Sequence, residues 1–200
     1  VGLECGSKPE LQAVLGLVEP QSSGLGGGAF MVHYDARSKQ LRVYEGREAA
    51  PASATPQRFL EDGKPLKLSE AVVSGRATGV PGAVAMLGVA HAQHGHLPWR
   101  KLFDDAIKLA EDGFVVSPRL AGFIAATEAP QPNTPDARKY FEKADGTRYI
   151  AGDVLRNPAY ATTLRQLAWG GAAALYRGPI AQSIVERIAA DPRPGGMTRE

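Results

Sequence analysis

Arg47 and Glu48 follow shortly after an alternating run, Leu41-Arg42-Val43-Tyr44, in a stretch that also holds a glycine cluster at Gly24, Gly26, Gly27 and Gly28. An arginine at a strand end presents a planar fork that matches a carboxylate, and glycines let a backbone approach another chain or a ligand closely. Together they suggest a site for a small acid, gripped by Arg47 and shaped by Gly26, Gly27 and Gly28. Two plainer readings stand beside this one: a surface ion pair for Arg47, and a tight turn into a strand for the glycines. Glu48 reads as a structural partner, because a carboxylate beside an arginine stays ionised.

The other chemically capable groups carry less. A Walker motif would end in Gly-Lys-Ser/Thr where this chain has Ala29-Phe30-Met31. A dinucleotide fingerprint needs a strand before its glycines and a helix after them, and the order here is reversed. His91 and His94 are three apart and His96 lies beyond Gly95, with no acidic or cysteine ligand nearby, so no metal is expected. No cofactor is implied. The single cysteine, Cys5, excludes an internal disulfide and leaves the compartment open.

Positioning such a site takes a scaffold that 200 residues can supply. Hydrophobic residues make up 44% and charged residues 22%, which is ordinary for a globular chain. A net charge of +2 forces no basic face and argues against dedicated nucleic-acid binding. No run of eighteen apolar residues suggests a membrane span.

Residues 1–9 read as a loose terminus and 10–200 as one partial domain. A short helix is expected over Glu10–Val18, then a loop at Ser22–Gly28. A hairpin of Ala29–Tyr34 and Leu41–Tyr44 follows, turning at Asp35–Lys39. Helical residues are expected at Gln57–Leu60, a mixed loop at Glu61–Ser74 and a small-residue turn at Ala77–Gly82. Amphipathic periodicity predicts helices over Ala83–Gln93, Pro98–Asp112, Ser117–Ala126, Pro158–Trp169 and Gly178–Ala190. In the second of these, Trp99, Leu102, Phe103, Ala106, Ile107 and Ala110 form one apolar stripe. Glu128–Pro135 reads as irregular, Asp136–Phe141 as a turn of helix and Gly146–Val154 as extended. Thr198 is a good N-cap for an element starting near the last residue. Two strands followed by mostly helical chain make an α+β protein with too few strands for a complete sheet.

Several of these stretches, in this order and spacing, resemble the large-subunit half of the γ-glutamyltranspeptidases. They are the glycine loop and strand, Gly46-Arg47-Glu48-Ala49-Ala50-Pro51, Gly79-Val80-Pro81-Gly82, LPWRKLFDDAIKLAEDGFVVS, and ALYRGPIAQSIVERI followed by GGMTRE. The first nine residues depart from the alanine-rich helix start usual in that family. The resemblance implies an N-terminal-nucleophile hydrolase with an αββα sandwich, incomplete without a small subunit cut from the same precursor. It implies a threonine nucleophile at the new N-terminus of that small subunit, acting on glutathione or other γ-glutamyl compounds, with an amino acid, a peptide or water as acceptor. Arg47 takes the position that grips the α-carboxylate of the γ-glutamyl group. No Thr-Thr-His-type junction occurs here, so no catalytic residue is expected in this chain, and export is expected from the resemblance alone. A related acylase, or a binding or scaffold protein that kept the fold without the nucleophile, is the alternative.

Overall fold

The computed structural model describes residues 8–126, 128–129 and 131–199. Helix α1 (Lys8–Val18) opens it, two residues earlier than its apolar pattern suggests. Val1–Ser7, Cys5 included, and Glu200 lie outside the described residues. Alternation then builds a hairpin of β1 (Ala29–Asp35) and β2 (Gln40–Gly46), antiparallel, with Val32 opposite Val43 and Ala29 opposite Gly46. The Asp35 carboxylate closes the turn by accepting from the amides of Arg37 and Ser38 and from the Ser38 hydroxyl.

Between the hairpin and the next long helix the chain is more structured than its mixed composition implies. Residues 56–59 form a turn rather than a helical stretch, and Leu60 already enters a strand. β3 (Leu60–Glu61) pairs with β4 (Lys64–Pro65) around Asp62 and Gly63, both at positive φ. The Asp-Gly pair is the two-residue hairpin signal that the reading of 61–74 as one loop overlooked. α2 (Leu68–Ala71) and a 3₁₀ turn at Gly75–Ala77 follow.

α3 (Ala83–His94) packs its Met86, Leu87 and Ala90 against Met31 of the hairpin. The expected helix from Pro98 to Asp112 divides in two. Trp99–Phe103 is 3₁₀, and α4 (Asp104–Asp112) starts only after Phe103. The Trp99 indole donates to the Leu167 carbonyl at 2.9 Å, and this tether holds the first turn where the α-helical path would not take it. β5 (Phe114–Val115), α5 (Pro118–Ala125) and α6 (Pro135–Phe141) come next. β6 (Val154–Leu155), α7 (Pro158–Gly170) and α8 (Pro179–Ala189) complete the chain. Ser117, Thr134 and Asn157 each cap a helix from the residue before a proline, accepting from the amides of Leu120, Ala137 and Tyr160. The stretch read as extended at 146–154 pairs at two places: Arg148 bridges back to Glu142, a turn follows at 151–152, and Val154 enters β6, which pairs with Phe114–Val115.

The core lies among α1, α4 and α7, where Ala13, Ala106 and Ala161 let the helices approach and Leu102, Leu164 and Leu167 fill the space between them. A second cluster, with Leu17, Leu120, Ile124 and Leu155, continues it beneath α5. The hairpin differs. Its inner face meets α3, while Phe30, Val32, Tyr34, Leu41 and Val43 on the outer face are 58 to 64% exposed. Five large apolar side chains on one sheet face form a surface suited to another layer. Among the described residues, no helix is long and apolar enough to cross a membrane.

Candidate functional site

Two sets of backbone bonds tie down the segments that meet at the end of β2. Ala49 and Val80 exchange both amide–carbonyl bonds, at 3.2 and 2.8 Å, tying the chain after Arg47 to the 77–82 turn. At the start of α3, the amides of Gly82 and Ala83 both donate to the Gly27 carbonyl, at 3.2 and 3.1 Å. The glycine loop, the strand end and the helix start are therefore one unit.

Close approach explains which glycines this unit needs. A Cβ at Gly82 would sit 2.5 Å from the Gly46 carbonyl oxygen and 2.7 Å from that of Arg47. A Cβ at Gly28 would meet Glu48 Oε2 at 2.5 Å and Arg47 Cα at 3.0 Å. Gly27 is looser, 3.6 Å from Glu48 Oε1, and Gly26 has nothing within 4 Å of its Cβ position. Gly26 instead lines the cavity beside Arg47. Of the glycines the sequence brings forward, Gly28 is thus set by sterics, and Gly46, Gly79 and Gly82 join it.

Arg47 and Glu48 face that cavity, which holds about 510 Å³. Arg47 Nε lies 3.5 Å from Glu48 Oε2, and the two side chains are 71% and 36% exposed. At that exposure the pair is worth about 1 kcal/mol or less, so the arginine can turn to a ligand at little cost. Arg58, Arg76 and Thr78 line it as well. Three guanidinium groups against one carboxylate make the cavity cationic, which suits an anionic ligand. Sequence reasoning missed Arg58 and Arg76, because the turn at 56–59 and the 3₁₀ turn at 75–77 bring them to the site from separate stretches.

The histidines do not form a centre. His91 Nε2 contacts the Leu97 carbonyl at 2.8 Å, whereas His94 stacks on His33 with centroids 4.0 Å apart and meets the Tyr44 hydroxyl at 2.6 Å. Among the described residues, no group of three or more His, Cys, Asp or Glu side chains is placed to hold a metal.

Fold and site together define the class. The γ-glutamyltranspeptidase of Helicobacter pylori superposes with a TM-score of 0.88 at 29% identity, over 98% of this chain and 55% of that one. The architecture is accordingly α+β, part of an αββα sandwich of the N-terminal-nucleophile hydrolase type. The chain belongs to the γ-glutamyltranspeptidase family, whose model matches residues 11–200. It is 36% identical over 179 residues to the glutathione hydrolase proenzyme of Bacillus subtilis, covering 89% of this chain and 30% of that protein. Scoloptoxin SSD14 of Scolopendra dehaani is 35% identical over 175 residues, covering 87% of this chain and 30% of the relative. The chain thus spans about a third of the length of these relatives.

Proposed function

We propose that this chain is the large-subunit segment of a γ-glutamyltransferase or glutathione hydrolase, and that Arg47 holds the α-carboxylate of the γ-glutamyl donor. One observation carries the reading: a mostly exposed arginine, fixed at a strand end by close-packed glycine backbone, on the rim of a cationic cavity. The α-carboxylate forms a charge-assisted, two-point contact with the guanidinium, which sets where the γ-amide lies. Glu48, 3.5 Å from the Arg47 Nε, is the carboxylate that partners the arginine until the donor's α-carboxylate takes its place.

The reaction takes its nucleophile from a partner, the small subunit of the same precursor. A threonine hydroxyl there attacks the γ-carbonyl carbon while its own α-amine takes the proton and passes it to the amide nitrogen, so that the C–N bond breaks and the donor's other half leaves as an amine. Water or the amine of an amino acid or peptide then attacks the γ-glutamyl ester and releases the threonine. This chain on its own supplies the grip and not the nucleophile, so it is inactive. Export of the mature protein is part of the proposal, and the family resemblance is what supports it.

The test is release of a chromogenic amine from a γ-glutamyl anilide by the full-length gene product and by this chain. Turnover by the full product alone is the expected result. No turnover by either, with no self-cleavage of the full product on a gel, refutes the proposal.

A further inference from the structure

The cavity beside Arg47 carries further positive charge, from Arg58 and Arg76, that the donor's α-carboxylate does not use. Arg58 Nε donates to the Arg76 carbonyl at 2.5 Å, while Arg76 Nη1 reaches back to the carbonyls of Arg58 and Leu60 at 3.4 and 3.3 Å. These reciprocal bonds hold two like charges side by side at the cavity wall. Arg76 has Glu61 at 3.5 Å, but Glu61 is shared, because Arg193 Nε is nearer to the same oxygen, at 2.8 Å. Arg58 has no carboxylate within ion-pair distance among the described residues, and its Nη2 is buried without a hydrogen-bond partner. A partly buried guanidinium is stable when an acceptor completes it, and an orphaned nitrogen is an exception that calls for a missing group.

We infer that Arg58 and Arg76 form a second anion subsite that takes a carboxylate on the leaving half of the donor. This rests on the proposed γ-glutamyl reaction and narrows its substrates: donors whose amine half is an acidic amino acid or a peptide with a free C-terminus are favoured over those with a neutral amine. Both subsites line one cavity, which Arg47, Glu48, Arg58 and Arg76 share. A volume of about 510 Å³ lies within the range of small-molecule pockets and accommodates a tripeptide. Arg47 with Glu48 is close to neutral as a pair, so the uncompensated charge is on the Arg58 side, where the γ-glutamyl group itself has no acid to offer.

The experiment uses the full-length, self-processed protein and two donors that differ at one group: glutathione and its C-terminal amide. The unmodified protein should use glutathione with a kcat/KM about ten-fold higher, the size of one charge-assisted contact at a part-exposed site. Arg58→Gln should bring that ratio close to one. Arg76→Gln should lower it as well, and the ratio, read within each variant, is independent of how much protein folds. Equal use of the two donors by the unmodified protein overturns the inference. So does a preference that survives both substitutions, which would assign the Arg58 charge to an acceptor in the remainder of the protein. A γ-glutamyl anilide run alongside separates the two readings. If the unmodified protein turns over neither anilide nor glutathione, the γ-glutamyl reaction itself fails and the subsite falls with it. If the anilide is cleaved and the ratio is one, only the subsite falls.

Discussion

Gly82→Ala should destabilise the protein and move Arg47 at the same time. The added Cβ would lie 2.5 Å from the Gly46 carbonyl oxygen and 2.7 Å from both the Arg47 oxygen and the Gly46 carbonyl carbon. All three are backbone atoms, so no side chain can swing aside. Restoring an ordinary carbon–oxygen contact requires the strand end and the helix start to part by about 1 Å. Overpacking of this kind costs about 1 to 3 kcal/mol. Parting the segments also stretches the bond from Gly82 N to the Gly27 carbonyl, now 3.2 Å, worth about 1 kcal/mol more. A total of about 2 to 4 kcal/mol is a large share of a marginal stability. Gly122→Ala is the control: it lies in α5, nothing is within 4 Å of its Cβ position, and the change should stabilise by about 0.5 to 1 kcal/mol. Unfolding by urea reads both, and KM for a γ-glutamyl donor should rise in Gly82→Ala only. An unchanged midpoint for Gly82→Ala would refute the close-packed unit around Arg47.

Two further outcomes follow from the hairpin. Desolvation, with the neighbouring charges of His33 and Arg42, holds the His94 imidazole below its ordinary value of 6.5, against the opposing pull of Asp35. The unfolded chain therefore takes up the proton first, so this contribution is present above pH about 6.5 and is lost as pH falls from there towards the lower folded value. Unfolding midpoints at pH 7.5 and 5 should differ less in His94→Gln than in the unmodified protein, and equal differences would remove His94 from the account. On the other face, Phe30, Val32, Tyr34, Leu41 and Val43 should drive this chain to self-associate when it is alone. Sedimentation should show Val43→Lys shifting it towards monomer, and a monomeric unmodified chain would contradict the reading.

How much of this was legible in the sequence depended on the reach of each signal. The hairpin was readable because alternation runs along both strands and a polar turn lies between them. Helices α3, α5, α7 and α8 were readable because their apolar spacing repeats over several turns and, for α5 and α7, because a capping residue precedes a proline. The pairing of Phe114–Val115 with Val154–Leu155 was not, since two residues carry no periodicity and the partner is distant in sequence. Nor was the 3₁₀ start at Trp99, which depends on a bond to Leu167 in another helix. At the site, the Gly-Arg-Glu step singled out Arg47 locally. Arg58 and Arg76 gave no local sign, because their significance comes from the bonds each makes to the other's carbonyl across a separate loop. The small-residue run around Arg76, Ser74-Gly75-Arg76-Ala77-Thr78-Gly79, was the one available hint that an arginine there approaches other backbone.

The Arg47 grip is tested most directly by steady-state kinetics of Arg47→Ala in the full-length, self-processed protein with a γ-glutamyl donor. The contact is charge-assisted, but Arg47 is 71% exposed in this chain, which places the loss at the lower end for such contacts. KM should rise about ten- to hundred-fold, equivalent to about 1.4 to 2.8 kcal/mol, while self-cleavage proceeds as before. A KM that stays within two-fold of the unmodified protein would take Arg47 out of the substrate site and contradict the account.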